Sequence, residues 1–150
     1  MVSNMKLVTT LFRLCVAWFF CKKQAQSKKR LAKDLLGKAG EKRAARFLKT
    51  KGYKIIARNV HFSIGEIDLI AQVEKTVVFI EVKTRQSAEY CHPREVVNKK
   101  KRQKIKQMAL RYYRNKKYAK MGFAIRFDIV TLIWPEGDEP KIEHFVDAFR

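Results

Sequence analysis

The sequence predicts an α/β sandwich built on a mixed β-sheet, and three features point there. A helical segment precedes three strand-like runs, a long helical pattern follows, and strand-like runs close the chain, the order that layered α/β domains produce. The third run, Val77 to Val82, is apolar on both faces, as a central strand covered on either side must be. A length of 150 residues suits one core with an appendage, so residues 1–30 read as an apolar and basic N-terminal extension outside the fold and residues 31–150 as the domain.

The extension holds an apolar run of 15 residues, Leu7 to Cys21, interrupted by Arg13. That is shorter than the ~20 residues needed to cross a bilayer, and no small-x-small cleavage site follows it. An interfacial amphipathic helix or an upstream extension is expected, with membrane contact through residues 7–21 as the weaker reading. Ser27 to Arg30 reads as a polar, basic linker. Leu31 to Thr50 reads as a helix ending at Gly52, a residue suited to the left-handed position after a helix. Steps of three and four from Glu41 reach Ala44, Ala45 and Leu48, which puts this acid on the stripe that should face the core. Either it joins or orients a site there, or it is an edge residue paired with a neighbouring lysine. Tyr53 to Asn59 reads as a short first strand.

The stretch Gly65 to Lys83, GEIDLIAQVEKTVVFIEVK, reads as a β-hairpin turning between Gln72 and Thr76. Alternation puts Glu66 and Asp68 on one face of its first strand, and Glu81 and Lys83 together on the second. If the register sets Asp68 near Glu81, two carboxylates and an ammonium stand together, and hard divalent cations such as Mg2+ take oxygen ligands of this kind. The alternative is an ion pair between Glu81 and Lys83.

Thr84 to Pro93 is expected to be a loop beside this site. A helical pattern then runs from about Arg94 to Tyr118, with Ile105, Met108, Ala109 and Tyr112 as its buried stripe. Between Lys99 and Lys117 stand ten Lys or Arg and no acid. So one-signed a block repels itself unless phosphates neutralise it, although a solvated face is the usual fate of charge runs. Phe123 to Trp134 alternates as a strand, in which Asp128 either faces the site or pairs with Arg126, the structural pairing being the one expected. A turn at Pro135 to Pro140 leads to a last extended piece, Lys141 to Val146.

With 34 Lys+Arg against 14 Asp+Glu, the formal charge is +20, which points to a polyanionic partner, nucleic acid first. Cys15, Cys21 and Cys91 lack paired C-x-x-C spacing, so neither a disulfide scaffold nor a zinc fold is supported. His61, His92 and His144 are scattered, no Ser-His-Asp or Cys-His set can be drawn, and no Gly-rich phosphate loop occurs.

An acid on the first helix, an Asp, then (D/E)-x-K on the following strand, here Glu41, Asp68 and Glu81-Val82-Lys83, resembles the PD-(D/E)xK nuclease superfamily. More closely, Gly40-Glu41, Gly52-Tyr53, Asn59, GEIDLIA from Gly65 to Ala71, FIEVKTR from Phe79 to Arg85 and RFDIV from Arg126 to Val130 resemble the YraN-like family, uncharacterised protein family 0102. That family is often compared with archaeal Holliday junction resolvases. The resemblance spans Leu36 to Phe149; the stretch before Ala32 has no counterpart in it, as a start codon placed too far upstream would explain.

The resemblance implies a restriction-endonuclease-like three-layer α/β/α sandwich. It implies a metal-dependent DNA endonuclease of the junction-resolving type, cytoplasmic and acting in repair or recombination. Glu41, Asp68, Glu81 and Lys83 would be catalytic, with Mg2+ (or Mn2+) held by Asp68, Glu81 and the Val82 carbonyl. Lys83 would hold or activate the attacking water, and Glu41 would complete or orient the metal shell. Lys99, Arg102 and Lys106, which share a helix face, would follow the nucleic-acid backbone together with Arg85. Symmetric cutting of a four-way junction would need a homodimer. The alternatives are a non-catalytic nucleic-acid-binding protein that keeps the nuclease fold and, third, a protein recruited to anionic membrane surfaces.

Overall fold

No glycine or proline occurs before Gly37, and Lys, Arg, Gln, Ala and Leu crowd residues 22–36. These residues lose little side-chain freedom in a helix. In the computed structural model, which describes residues 3–87, 97–115 and 118–150, helix α1 accordingly runs unbroken from Ser3 to Thr50. The segment Ser27–Arg30 is therefore helix and not the expected linker, and the helix expected from Leu31 begins far upstream of it. The chain divides into two units, residues 1–36 and 37–150. Gly52 ends α1 as expected. Its φ of +84° lets the Gly52 N–H reach the Lys49 carbonyl at 3.1 Å and the Tyr53 N–H reach the Leu48 carbonyl at 3.0 Å, which satisfies the last carbonyls.

Within residues 37–150, strands β1 (Lys54–Phe62), β2 (Gly65–Val73), β3 (Thr76–Arg85), β4 (Ala124–Ile133) and β5 (Lys141–Phe145) form one five-stranded sheet in the order β1-β2-β3-β4-β5. β3 and β4 pair in parallel, and the other neighbours pair antiparallel, so the sheet is mixed. A parallel pair needs a crossover, and helix α2 (Lys99–Asn115) lies in it. The expected loop Thr84–Pro93 is strand as far as Arg85; its part beyond residue 87 and the expected helix start near Arg94 lie outside the described residues.

Alternation along β3 sends Val78, Ile80 and Val82 to one face and Val77 and Phe79 to the other. The first set packs with Ala44, Ala45 and Leu48 of α1, and the second with Ile105, Met108 and Ala109 of α2. A sheet held between two helices is the three-layer α/β/α arrangement, and each large aliphatic buried in it contributes roughly 1.5–3 kcal/mol. Phe149 also joins the α2 face, stacked on Phe127 with ring centroids 5.2 Å apart.

The β1–β2 ladder shifts register between Ile55 and Ala57, and the pairing on both sides of β2 is interrupted at the level of Asp68. Asn59 has φ 49°, and the β1–β2 pairing steps from Arg58–Leu69 to Val60–Ile67 across it. The β2–β3 pairing stops at Leu69–Ile80, one position before Asp68 would face Glu81. Two carboxylates are thus carried to the point where the hairpin opens.

Candidate functional site

Gly40 brings α1 against the sheet. A Cβ at this position would lie 1.8 Å from Thr84 Oγ1 and 3.0 Å from Thr84 Cβ, so only glycine allows the approach. The next residue, Glu41, is partly buried and hydrogen-bonded to the Asn59 side chain. Burial pushes its pKa up; the Asn59 bond opposes this, and the charges of Glu66 and Glu81 add to the rise.

Asp68 and Glu81 are 8% and 2% exposed. With the ladder interrupted, the Val82 N–H donates to Asp68 Oδ2 at 2.7 Å. Burial first, then the Glu81 charge, pushes the Asp68 pKa up to about 7, against the opposing pull of the Val82 bond and Lys101. Glu81 Oε1 receives the Lys83 ammonium at 3.0 Å and that of Lys101 as well. Glu81 Oε2 is buried with no hydrogen-bond partner. Burial alone would lower the Lys83 pKa, but the Glu81 carboxylate more than offsets it and the net direction is upward. The Glu81–Lys83 ion pair and the neighbouring carboxylates, offered by the sequence as alternatives, are both present.

These groups fit a hard cation. An extended residue sends its N–H and C=O to the same side, so the Val82 carbonyl leaves β3 on the edge that meets Asp68. Mg2+ is commonly held by one or two carboxylates, with water and substrate phosphate completing its shell. A buried carboxylate oxygen without a partner, next to an acid that holds its proton up to about pH 7, suits a donor set that a cation would complete. Among the described residues no three His, Cys, Asp or Glu side chains are grouped to hold a metal, so Glu41 is not grouped with the pair and acts on it through its charge.

The residues expected on nucleic acid are placed differently from one another. Arg85 is exposed at the end of β3, where its carbonyl accepts the Trp134 N–H at 2.7 Å, and Lys99 is exposed at the start of α2. Arg102 Nε donates to the Val97 carbonyl at 2.7 Å, and its guanidinium lies 5.8 Å from the Phe149 ring centroid. Lys106 Nζ bonds to the Arg150 carbonyl. Two members of that helix face are therefore engaged with the protein's own backbone.

Lys101 is the site residue that sequence reasoning passed over. Its only signal was membership of the charge run, since no spacing rule links it to Glu81, 20 positions away. Asp128 follows expectation. It is fully buried and takes Arg126 Nε and Nη2, each at 2.9 Å, with His144 Nε2 at 2.9 Å and the Asp147 N–H at 3.0 Å. Burial would raise its pKa, but the His144, Arg126 and Asp147 bonds bring it below the ordinary carboxylate value.

Fold and site together define an α/β/α protein with two carboxylates and two lysines at the open end of a buried hairpin. The profile of Uncharacterised protein family UPF0102 matches residues 40–132, a span that holds all of these groups. The UPF0102 protein of Syntrophomonas wolfei is 40% identical over 114 residues, covering 76% of this chain and 96% of its own length. That of Thermodesulfovibrio yellowstonii is 41% identical over 119 residues, 79% and 99% of the two chains, and that of Rhodopirellula baltica 41% over 120, 77% and 70%. The chain belongs to the UPF0102 family, the one its motifs resemble. Among the described residues, no helix is long and apolar enough to cross a membrane.

Proposed function

We propose that this protein is a metal-dependent DNA endonuclease of the Holliday-junction-resolvase-like type, cytoplasmic and working as a homodimer on branched DNA. The observation that carries the reading is Glu81, a carboxylate buried on a central strand, with one oxygen unpartnered, beside a second buried acid and two ammoniums. Asp68, Glu81 and the Val82 carbonyl would hold Mg2+ or Mn2+, which when bound supplies Lewis-acid polarisation of the phosphodiester and a more acidic water. Lys83, whose proton the Glu81 carboxylate holds in place, offers a fixed positive charge to the negative charge that builds on the phosphate oxygens. Glu41 and Asn59 bound the site from α1 and β1 and orient it through charge and hydrogen bonding. Lys99 and Arg85, both exposed, are free to meet the backbone of the nucleic acid.

The test is cleavage of labelled four-way junctions, flaps, linear duplex and single strands with Mg2+ or Mn2+, with EDTA and Glu81→Ala controls. Expected is cutting that EDTA and the substitution both abolish, while the DNA Kd of the variant stays within about twofold of wild type, since backbone contacts supply most affinity. Equal loss of cutting and binding would refute the assignment. A second reading, a nucleic-acid-binding protein without catalysis, draws on the fact that Lys83 and Lys101 already neutralise Glu81. It expects strongly salt-dependent binding that is indifferent to Mg2+, with no cutting.

A further inference from the structure

We infer that Lys101 is a positioning residue: it closes the acid pair while no divalent cation is bound, and it turns to a substrate phosphate in the adjoining cleft when one binds. The inference rests on the metal-dependent reading above and adds to it a residue that couples cation binding to substrate binding.

With Asp68 ionised, two carboxylates, Asp68 and Glu81, face two ammoniums, Lys83 and Lys101, and the charge balances without a metal. A divalent cation on the same acids leaves an excess of two positive charges, and one ammonium must withdraw. Lys83 stands two residues from Glu81 on the same face of the same strand, so strand geometry holds that pair together. Lys101 comes from another element, α2, and its side chain is 39% exposed against 1% for that of Glu81. Its backbone is fixed, with the Lys101 N–H on Asn98 Oδ1 at 2.9 Å, but the four-carbon stem can turn.

The surroundings favour withdrawal. The first turn of α2 carries Lys99, Lys100 and Lys101 and no acid, so the helix dipole works against an uncompensated ammonium there, and once Glu81 turns to a cation a second anion such as phosphate is favoured beside Lys101. Lys101 also lines a cleft of about 380 Å³ together with Gly65, Glu66, Asn98, Lys100 and Lys104. Three lysines on one cleft wall suit a phosphodiester anion. Freed from Glu81, the Lys101 ammonium would remain in that cleft beside the acids, placed to hold the phosphate next to the metal-binding oxygens.

The test has two arms. Free Mn2+ measured by electron paramagnetic resonance, without nucleic acid, reads cation affinity in the wild type, Lys101→Met, Lys101→Gln, Glu81→Gln and, as a control at an exposed lysine of α1, Lys49→Met. Expected is binding that Glu81→Gln destroys, that both Lys101 variants tighten about fivefold or more, and that Lys49→Met leaves within about twofold, as a contact of the size of a close charge pair requires. In the second arm, affinity for a four-way junction is followed against salt with and without Ca2+. The wild-type slope should steepen by about 0.9, one phosphate contact, more than that of Lys101→Met. Unchanged or weaker Mn2+ affinity in the Lys101 variants, or equal steepening in both proteins, overturns the inference and leaves the metal reading standing. Loss of any Glu81-dependent Mn2+ binding overturns both.

Discussion

Replacing Asp68 by Asn tests the electrostatic account of the site without any substrate. The amide keeps an oxygen for the Val82 N–H and removes the charge that burial and Glu81 disfavour. The Asp68 pKa is raised from 3.8 to about 7, so the folded protein holds a proton that the unfolded chain has already lost. The stabilisation is fully present below about pH 4 and is lost as pH rises through about 7. Between pH 5 and pH 8 this amounts to roughly 2–3 kcal/mol, a large share of the 5–15 kcal/mol typical of a domain. Urea unfolding at fixed salt, without divalent cations, should therefore show the wild-type midpoint falling across this range. Asp68→Asn should match wild type near pH 5 and exceed it by about that amount at pH 8. Mg2+ at about 100 times its Kd should return roughly 2.7 kcal/mol to wild type at pH 8 and little to the variant. Parallel pH curves for the two proteins would refute the raised pKa and, with it, the crowding of the two acids.

Gly40→Ala should destabilise by roughly 1–3 kcal/mol through its clash with Thr84, and the double variant Gly40→Ala/Thr84→Ala should recover most of that in the same unfolding assay. No recovery would place the strain elsewhere. Asp128→Ala leaves Arg126 and His144 without their shared acceptor and should cost roughly 3–5 kcal/mol. Because the Asp128 pKa lies below its unfolded value, wild type gains this support above about pH 4 and loses it as pH falls further. Circular dichroism during acid titration should show an unfolding transition there in wild type and an already weakened fold in the variant.

Much of the architecture was legible in local pattern. The stripe Glu41, Ala44, Ala45 and Leu48, the two-faced apolar run of β3 and Gly52 after α1 each follow from the period of one element, and each stands where the period puts it. Helix α1 is longer than its pattern predicts because a polar composition at Ser27–Arg30 suggests a linker, whereas the absence of glycine and proline governs whether a helix continues. The charge run on α2 was visible, but what each lysine or arginine touches was not. Lys101 meets Glu81, Arg102 lies over Phe149, and Lys106 reaches the Arg150 carbonyl.

By itself, the sequence determined the kind and order of the elements within residues 31–150, which side chains share a face, and that Glu81 and Lys83 must point the same way. Only the tertiary structure decided that the hairpin ladder ends one position before Asp68, that Glu81 keeps one bare oxygen, and that a lysine from α2 closes on the other. The reason is physical. Backbone period is a property of neighbours along the chain, whereas charge and hydrogen-bond energies change steeply over a few ångströms between elements whose separation no local pattern specifies.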